Sequence, residues 1–200
     1  MRRRKAYRDP VPFILVVSEG RNTEPQYIDG FRQFYANRLV RVHRVDGAGV
    51  PITVVEEAMR AREEASDLAK RDSDDNLLYD EAWCLFDVDE HPGVEEAIAM
   101  AAANNISVAV SNPCFELWLL LHFKEHSAHI ERKAAKKLLL THVSDYDKNV
   151  NFHDYRDGYD LAVTRATGLD KRAESIHEPG KNPTTGVYHL TERIRSFGRH

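Results

Sequence analysis

Hydrophobic and polar positions change period several times along the first two-thirds of the chain. Phe13-Ile14-Leu15-Val16-Val17 is a continuous apolar run, the pattern of a strand buried on both faces of a parallel sheet. It stops at Ser18-Glu19-Gly20. From about Thr23 to Tyr35 apolar residues return at helical spacing, with Thr23 placed to act as N-cap and Pro25 tolerated in the first turn. Leu39 to Val45 alternates as a second strand, and Asp46-Gly47-Ala48-Gly49 reads as a loop. Pro51 to Arg71 predicts a long helix with Val54, Val55, Ala58, Ala61 and Ala65 as its apolar stripe. Ala82 to Phe86 predicts a third strand ending in Asp87-Val88-Asp89-Glu90-His91. A helix over Val94 to Ala103, a fourth strand over Ile106 to Val110 and an apolar helix over Phe115 to Phe123 follow. The order β-α-β-α-β-α-β-α predicts an α/β fold, a mostly parallel four-stranded sheet flanked by helices.

From Lys124 onward charged and polar residues dominate. Helices are predicted over Glu131 to His142, Tyr159 to Ile176 and Thr185 to Ser196, with loops over Asp145 to Gly158 and Glu178 to Pro183. This part is too short and too poor in apolar residues to stand alone, so it reads as a helical extension packed on the core. The organisation is then a basic flexible tail over residues 1–12, an α/β core over 13–123 and an extension over 124–200.

Bulk composition narrows the class. The 200 residues are 42% hydrophobic and 30% charged, as in an ordinary soluble domain. No stretch approaches the roughly 20 apolar residues of a membrane span, and the basic N-terminus lacks the features of a signal peptide. A cytoplasmic protein without membrane contact is expected. Two widely spaced cysteines, Cys84 and Cys114, argue against a disulfide scaffold and a structural zinc site. The net charge of −4 weakens the case for a strongly basic nucleic-acid binder without excluding one, because charge can be local. Arg2, Arg3, Arg4, Lys5 and Arg8 form a local basic cluster, which reads as a solubilising tail or as a phosphate-holding arm.

Candidate chemistry collects at strand ends. In an open parallel sheet ligands bind at the carboxyl ends of the strands. Here these ends carry Glu19-Gly20, Asp87-Val88-Asp89-Glu90 and Ser111-Asn112-Pro113. Asp87 and Asp89 are two apart and share a side of an extended segment. Two adjacent carboxylates repel unless a proton or cation separates them. A hard cation such as Mg²⁺, with Mn²⁺ as a substitute, resolves this. Glu19 would be a third ligand or a general base. The alternative is structural, with Asp89 or Glu90 capping the helix from Val94.

Four segments, ILVVSEGRNTEPQYIDGF (Ile14 to Phe31), WCLFDVDEH (Trp83 to His91), SNPCFELWLLLHF (Ser111 to Phe123) and NPTTGVYHL (Asn182 to Leu190), together resemble the RloB-like family. The resemblance implies a Toprim-like fold with Glu19, Asp87 and Asp89 as the metal-binding and catalytic acids. It implies a Mg²⁺-dependent nuclease acting on DNA or RNA, tRNA included. It also implies an effector subunit of a prokaryotic anti-phage or abortive-infection system, paired with an AAA-type ATPase; a homo-oligomer is left open. Many relatives carry Glu-Gly-Glu-Lys-Thr-Glu where this chain has Glu19-Gly20-Arg21-Asn22-Thr23-Glu24, so the lysine is replaced by an arginine one place earlier.

Other residues have competing roles. Arg21 would clamp a phosphate or pair with Glu24, and Glu24 suits either a metal or the helix dipole. Glu116 is a charge entering a very apolar helix and needs a partner or a perturbed pKa. His91 follows the acids and could donate a proton; His122 reads as a hydrogen-bonded core residue. Ser111 or Asn112 would cap the helix from Phe115. Asn182, Thr184 and Thr185 read as a loop and N-cap, or as substrate-side residues through the family motif. The rival to the enzyme is a non-catalytic sensor or toxin-like subunit that docks on the ATPase, its acids structural. A phosphate-binding α/β protein of the doubly wound type is disfavoured, because G-x-G-x-x-G and the P-loop motif are both absent.

Overall fold

The computed structural model describes residues 11–20, 22–45, 50–88 and 93–198. Its elements run β1 (Ile14–Ser18), α1 (Thr23–Phe34), β2 (Val40–Arg44), α2 (Pro51–Asp72), β3 (Glu81–Asp87), α3 (Val94–Ala103), β4 (Ser107–Asn112), α4 (Phe115–Leu121), α5 (Arg132–Leu139), α6 (Tyr159–Ser175), β5 (Thr184–Thr185) and α7 (Val187–Ser196). The sheet order is β2-β1-β3-β4-β5. The first four strands are parallel and β5 joins antiparallel to β4.

The apolar run of β1 is explained by a sheet covered on both sides. Ile14 and Val16 face one core with Leu85 and Ala109, and Leu15 and Val17 face the other with Cys84 and Phe86. This is the two-residue alternation of a strand, with both sets buried. α1, α4, α5, α6 and α7 pack on the first face, and α2 and α3 on the second. Residues after Lys124 contribute Ile130, Leu139, Tyr155, Tyr159, Leu190 and Ile194 to the larger core. No helix among the described residues is long and apolar enough to cross a membrane.

Four details differ from the sequence expectation. The described sheet has five strands, not four. β5 is only two residues long, so it has no alternation to read. It is held by pairing of Asn112 with Thr184 and Ser111 with Thr185, and by a buried 2.9 Å hydrogen bond between the Ser111 and Thr185 hydroxyls. The last helix therefore starts at Val187, with Gly186 at its N-cap. Thr23 is not the N-cap of α1, which is Asn22 without a side-chain bond; the Thr23 hydroxyl instead donates to the Lys148 carbonyl at 3.1 Å. Neither Ser111 nor Asn112 caps α4, whose N-cap is Cys114, because both are committed to β5 and its loop. The basic cluster of residues 2–8 lies outside the described residues.

Candidate active site

The strand order reverses at one place. The chain leaves β1 outward to β2, then crosses back to β3 on the other side of β1. Such a switch point leaves a crevice outside the carboxyl ends of the two central strands. Glu19 and Asp87 stand at that crevice. The Glu19 amide donates to Leu85 O at 3.1 Å, which fixes the exit of β1 against β3. Its carboxylate Oε2 lies 3.5 Å from the Asp87 amide nitrogen, a long contact that aims it at the end of β3. Asp87 is the last residue of β3, is only 6% exposed, and shares a sheet face with Leu85.

Two further acids close the pocket from the helices on that face. Glu24 sits in the first turn of α1 and is 8% exposed. Glu116 sits in the first turn of α4 and is 4% exposed. Each lies where a helix N-terminus favours negative charge. The Tyr146 hydroxyl, from the loop after α5, donates to Glu116 Oε1 at 3.1 Å. Arg132 opens α5 and brings Nη2 to 3.8 Å from Asp87 Oδ2. Gly20 leaves the room that the Glu24 carboxylate occupies, since a Cβ there would lie 2.5 Å from Glu24 Cδ.

Electrostatically the four acids act as a group. Burial, above all, pushes the Glu24 carboxyl up to about 7; negative Glu116 and Glu19 add to this, while its own backbone hydrogen bond and Arg132 oppose it. Asp87 is raised well above the carboxylate range, again first by burial and then by Glu24 and Glu116, with Arg132 pulling it down. Among the described residues, the Arg132 guanidinium stands beside this group of carboxylates. An all-oxygen, acid-rich donor set of this kind suits a hard divalent cation. Among the described residues, no three His, Cys, Asp or Glu side chains stand in a ready coordination arrangement. Asp89, the second acid of the Asp-x-Asp pair, lies outside the described residues, as do Arg21, Glu90 and His91.

The remaining sequence candidates have structural partners. The Asn112 amide donates to Gly180 O at 2.8 Å. Asn182 clamps the backbone of Ile130, accepting from its amide at 2.9 Å and donating to its carbonyl at 2.8 Å. Thr184 is buried in β5. His122 is a core residue as expected, hydrogen-bonded to Tyr27 Oη and Trp118 O at 2.9 Å each, and burial lowers its pKa to about 3. Cys84 and Cys114 are fully buried thiols, each pushed up by desolvation. Arg132 and Tyr146 were not anticipated. Arg132 had one signal, the basic run it opens; Tyr146 had none, because only the tertiary fold brings it to Glu116.

A family model described as RloB-like protein matches residues 14–194. The chain belongs to the RloB-like family. The match takes in every strand of the sheet and all the pocket residues named above, so this RloB-like chain builds its carboxylate site within the family's shared region. No curated protein and no solved structure matches the chain.

Proposed function

We propose that this RloB-like protein is a Mg²⁺-dependent nuclease of the Toprim type. The observation that carries this reading is the delivery of Glu19 and Asp87, on neighbouring strand ends at the switch point, into one pocket with buried Glu24 and Glu116. Glu19 and Asp87, with Asp89 two residues on, are the groups that would hold the ion. When bound, Mg²⁺ supplies a Lewis acid for a phosphoryl oxygen and offsets the charge of the acids.

The chain's own residues supply the rest. Glu24, held near neutrality in its titration, can keep or release a proton at working pH, which suits proton transfer to or from a reacting oxygen. Glu19 is the alternative general base. Arg132 places a fixed positive charge beside Asp87, where charge builds up on a phosphodiester undergoing attack. Tyr146 orients Glu116 and keeps that acid from drifting in the pocket. The AAA-type ATPase partner and the role as a phage-defence effector, both implied by the family resemblance, form part of the same proposal.

Calorimetric titration of Mg²⁺ and Mn²⁺ into the wild type, Glu19→Ala, Asp87→Ala and Asp89→Ala tests the reading. Binding that is present in the wild type and lost in the variants supports it and is followed by cleavage assays on DNA and tRNA. Absence of ion binding at millimolar metal, with nucleic acid present to complete the coordination shell, overturns it and moves the docking-subunit reading ahead.

A further inference from the structure

The helix α5 has the sequence RKAAKKLL, with four cations among eight residues and no acid. Its buried side is Ala135 and Leu139. Arg132, Lys133 and Lys137 are exposed, and Lys136 is half-buried. On a helix, positions four apart share a face, so Arg132 and Lys136 form one row and Lys133 and Lys137 the next. Within each row the second cation lies about 6 Å further along the helix axis than the first.

This strip begins at the carboxylate pocket. Arg132 reaches Asp87 at 3.8 Å. One turn on, Lys136 Nζ lies 6.0 Å from the centre of the Tyr146 ring, the side chain whose hydroxyl holds Glu116. Several cations on other elements are tied to neighbouring acids, as Arg60 to Glu57 and Glu64, Lys70 to Asp67, Arg71 to Asp72, and Arg195 to Asp160. In α5 no residue of the helix can neutralise the row. A pocket of four acids repels a phosphodiester, so a polyanion reaches it only along a surface that supplies opposing charge.

We propose that the outer face of α5, through Lys133, Lys136 and Lys137 and ending at Arg132, is the track on which the phosphate backbone of a nucleic acid docks and enters the pocket. The track rests on the reading of the pocket as a phosphodiester site, but it is tested by binding and not by cleavage. Its contacts are to phosphates, so it holds the backbone without reading bases.

The test is fluorescence anisotropy with the full chain in EDTA, using labelled single-stranded DNA, single-stranded RNA and duplex DNA across a salt series. The variants are Lys133→Ala/Lys137→Ala and Lys133→Glu/Lys137→Glu, both at exposed positions. Lys70→Glu/Arg71→Glu, at the end of α2 that precedes β3, is the control, and circular dichroism checks folding. Charge reversal on α5 is expected to weaken binding at least tenfold. The alanine pair is expected to lower the slope of log K against log salt by about 1 to 2, since each lost phosphate contact contributes about 0.7 to 0.9. The three probes decide which nucleic acid the track takes. Wild type that binds none of them at low salt, or α5 variants no weaker than the control, overturns the track. Loss of binding in the α5 variants without any wild-type cleavage leaves the track standing and removes the nuclease reading; cleavage unaffected by α5 does the reverse.

Discussion

The carboxylate of Glu24 occupies the space that a side chain on residue 20 would need: a Cβ built on Gly20 lies 2.5 Å from Glu24 Cδ and 2.7 Å from Oε1. The contact is with the end of the Glu24 side chain alone, so a side chain at residue 20 would have to displace that buried carboxylate. The exit of β1 can therefore pass directly under an acid from α1, and this compresses Glu19, Glu24 and Asp87 into one pocket.

Gly20→Ala should therefore cost about 1–3 kcal/mol, the usual range for forcing a methyl group into a packed site. In a Glu24→Ala background the same change should cost much less, because the obstructing carboxylate is gone. The coupling is read from a double-mutant cycle by urea denaturation. Equal costs in both backgrounds would show that the two residues do not press on each other.

The raised pKa of Glu24 gives stability a pH dependence of known sign. An unfolded glutamate titrates near 4.3, and the folded group near 7. Between these values the folded protein binds the proton more tightly. Metal-free stability from this group is present at low pH and declines as pH rises through that window. Glu24→Gln no longer loses it. The melting temperature of the variant minus that of the wild type, in EDTA, should increase from pH 5 to pH 8. His122, whose pKa is depressed to about 3, works in the opposite sense, losing stability as pH falls below the unfolded value near 6.5. It is common to both proteins, so it cancels in the difference. A difference that is flat with pH would mean that Glu24 is not a raised acid.

The parallel strands were legible because burial on both faces writes a continuous apolar run, as in Phe13 to Val17 and Ala82 to Phe86. Glu116 was legible for the opposite reason: a single charge in an apolar helix has to be explained. What stayed hidden depends on distant pairing. Thr184 and Thr185 form a strand only because β4 lies beside them. Thr23 has the look of an N-cap, yet its hydroxyl is used 125 residues away at Lys148. Tyr146 meets Glu116 across 30 residues, with no local pattern to announce it.

That Tyr146–Glu116 bond is itself testable. Both side chains are 4% exposed. Tyr146→Phe removes the donor and leaves Glu116 Oε1 without it, a change worth about 1–3 kcal/mol for a buried charged acceptor. Combined with Glu116→Gln, which lessens the charge to be satisfied, the loss should be smaller than the sum of the two single changes. Urea denaturation of the four proteins measures it; strict additivity would place the two groups out of contact.

Asn182 separates a family motif from a site role. Its amide makes both hydrogen bonds to the backbone of Ile130, at 2.9 and 2.8 Å, the pattern one strand gives another. Ile130 is itself buried and stands two residues before Arg132, where α5 begins. Asn182 thus fixes the point from which α5 sets out along the carboxylate pocket. Asn182→Ala leaves an N–H and a C=O of Ile130 without those partners, which should cost about 1–3 kcal/mol in stability. Asn182→Asp keeps the acceptor for the Ile130 amide but turns the donor into a second acceptor, so it should recover little of the loss. Under the proposed metal role of Asp87, Mg²⁺ affinity, measured by calorimetry well below the melting temperature, should change less than threefold in Asn182→Ala and should be lost in Asp87→Ala. A fall in metal affinity as large as that of Asp87→Ala, with stability unchanged, would instead make Asn182 part of the site.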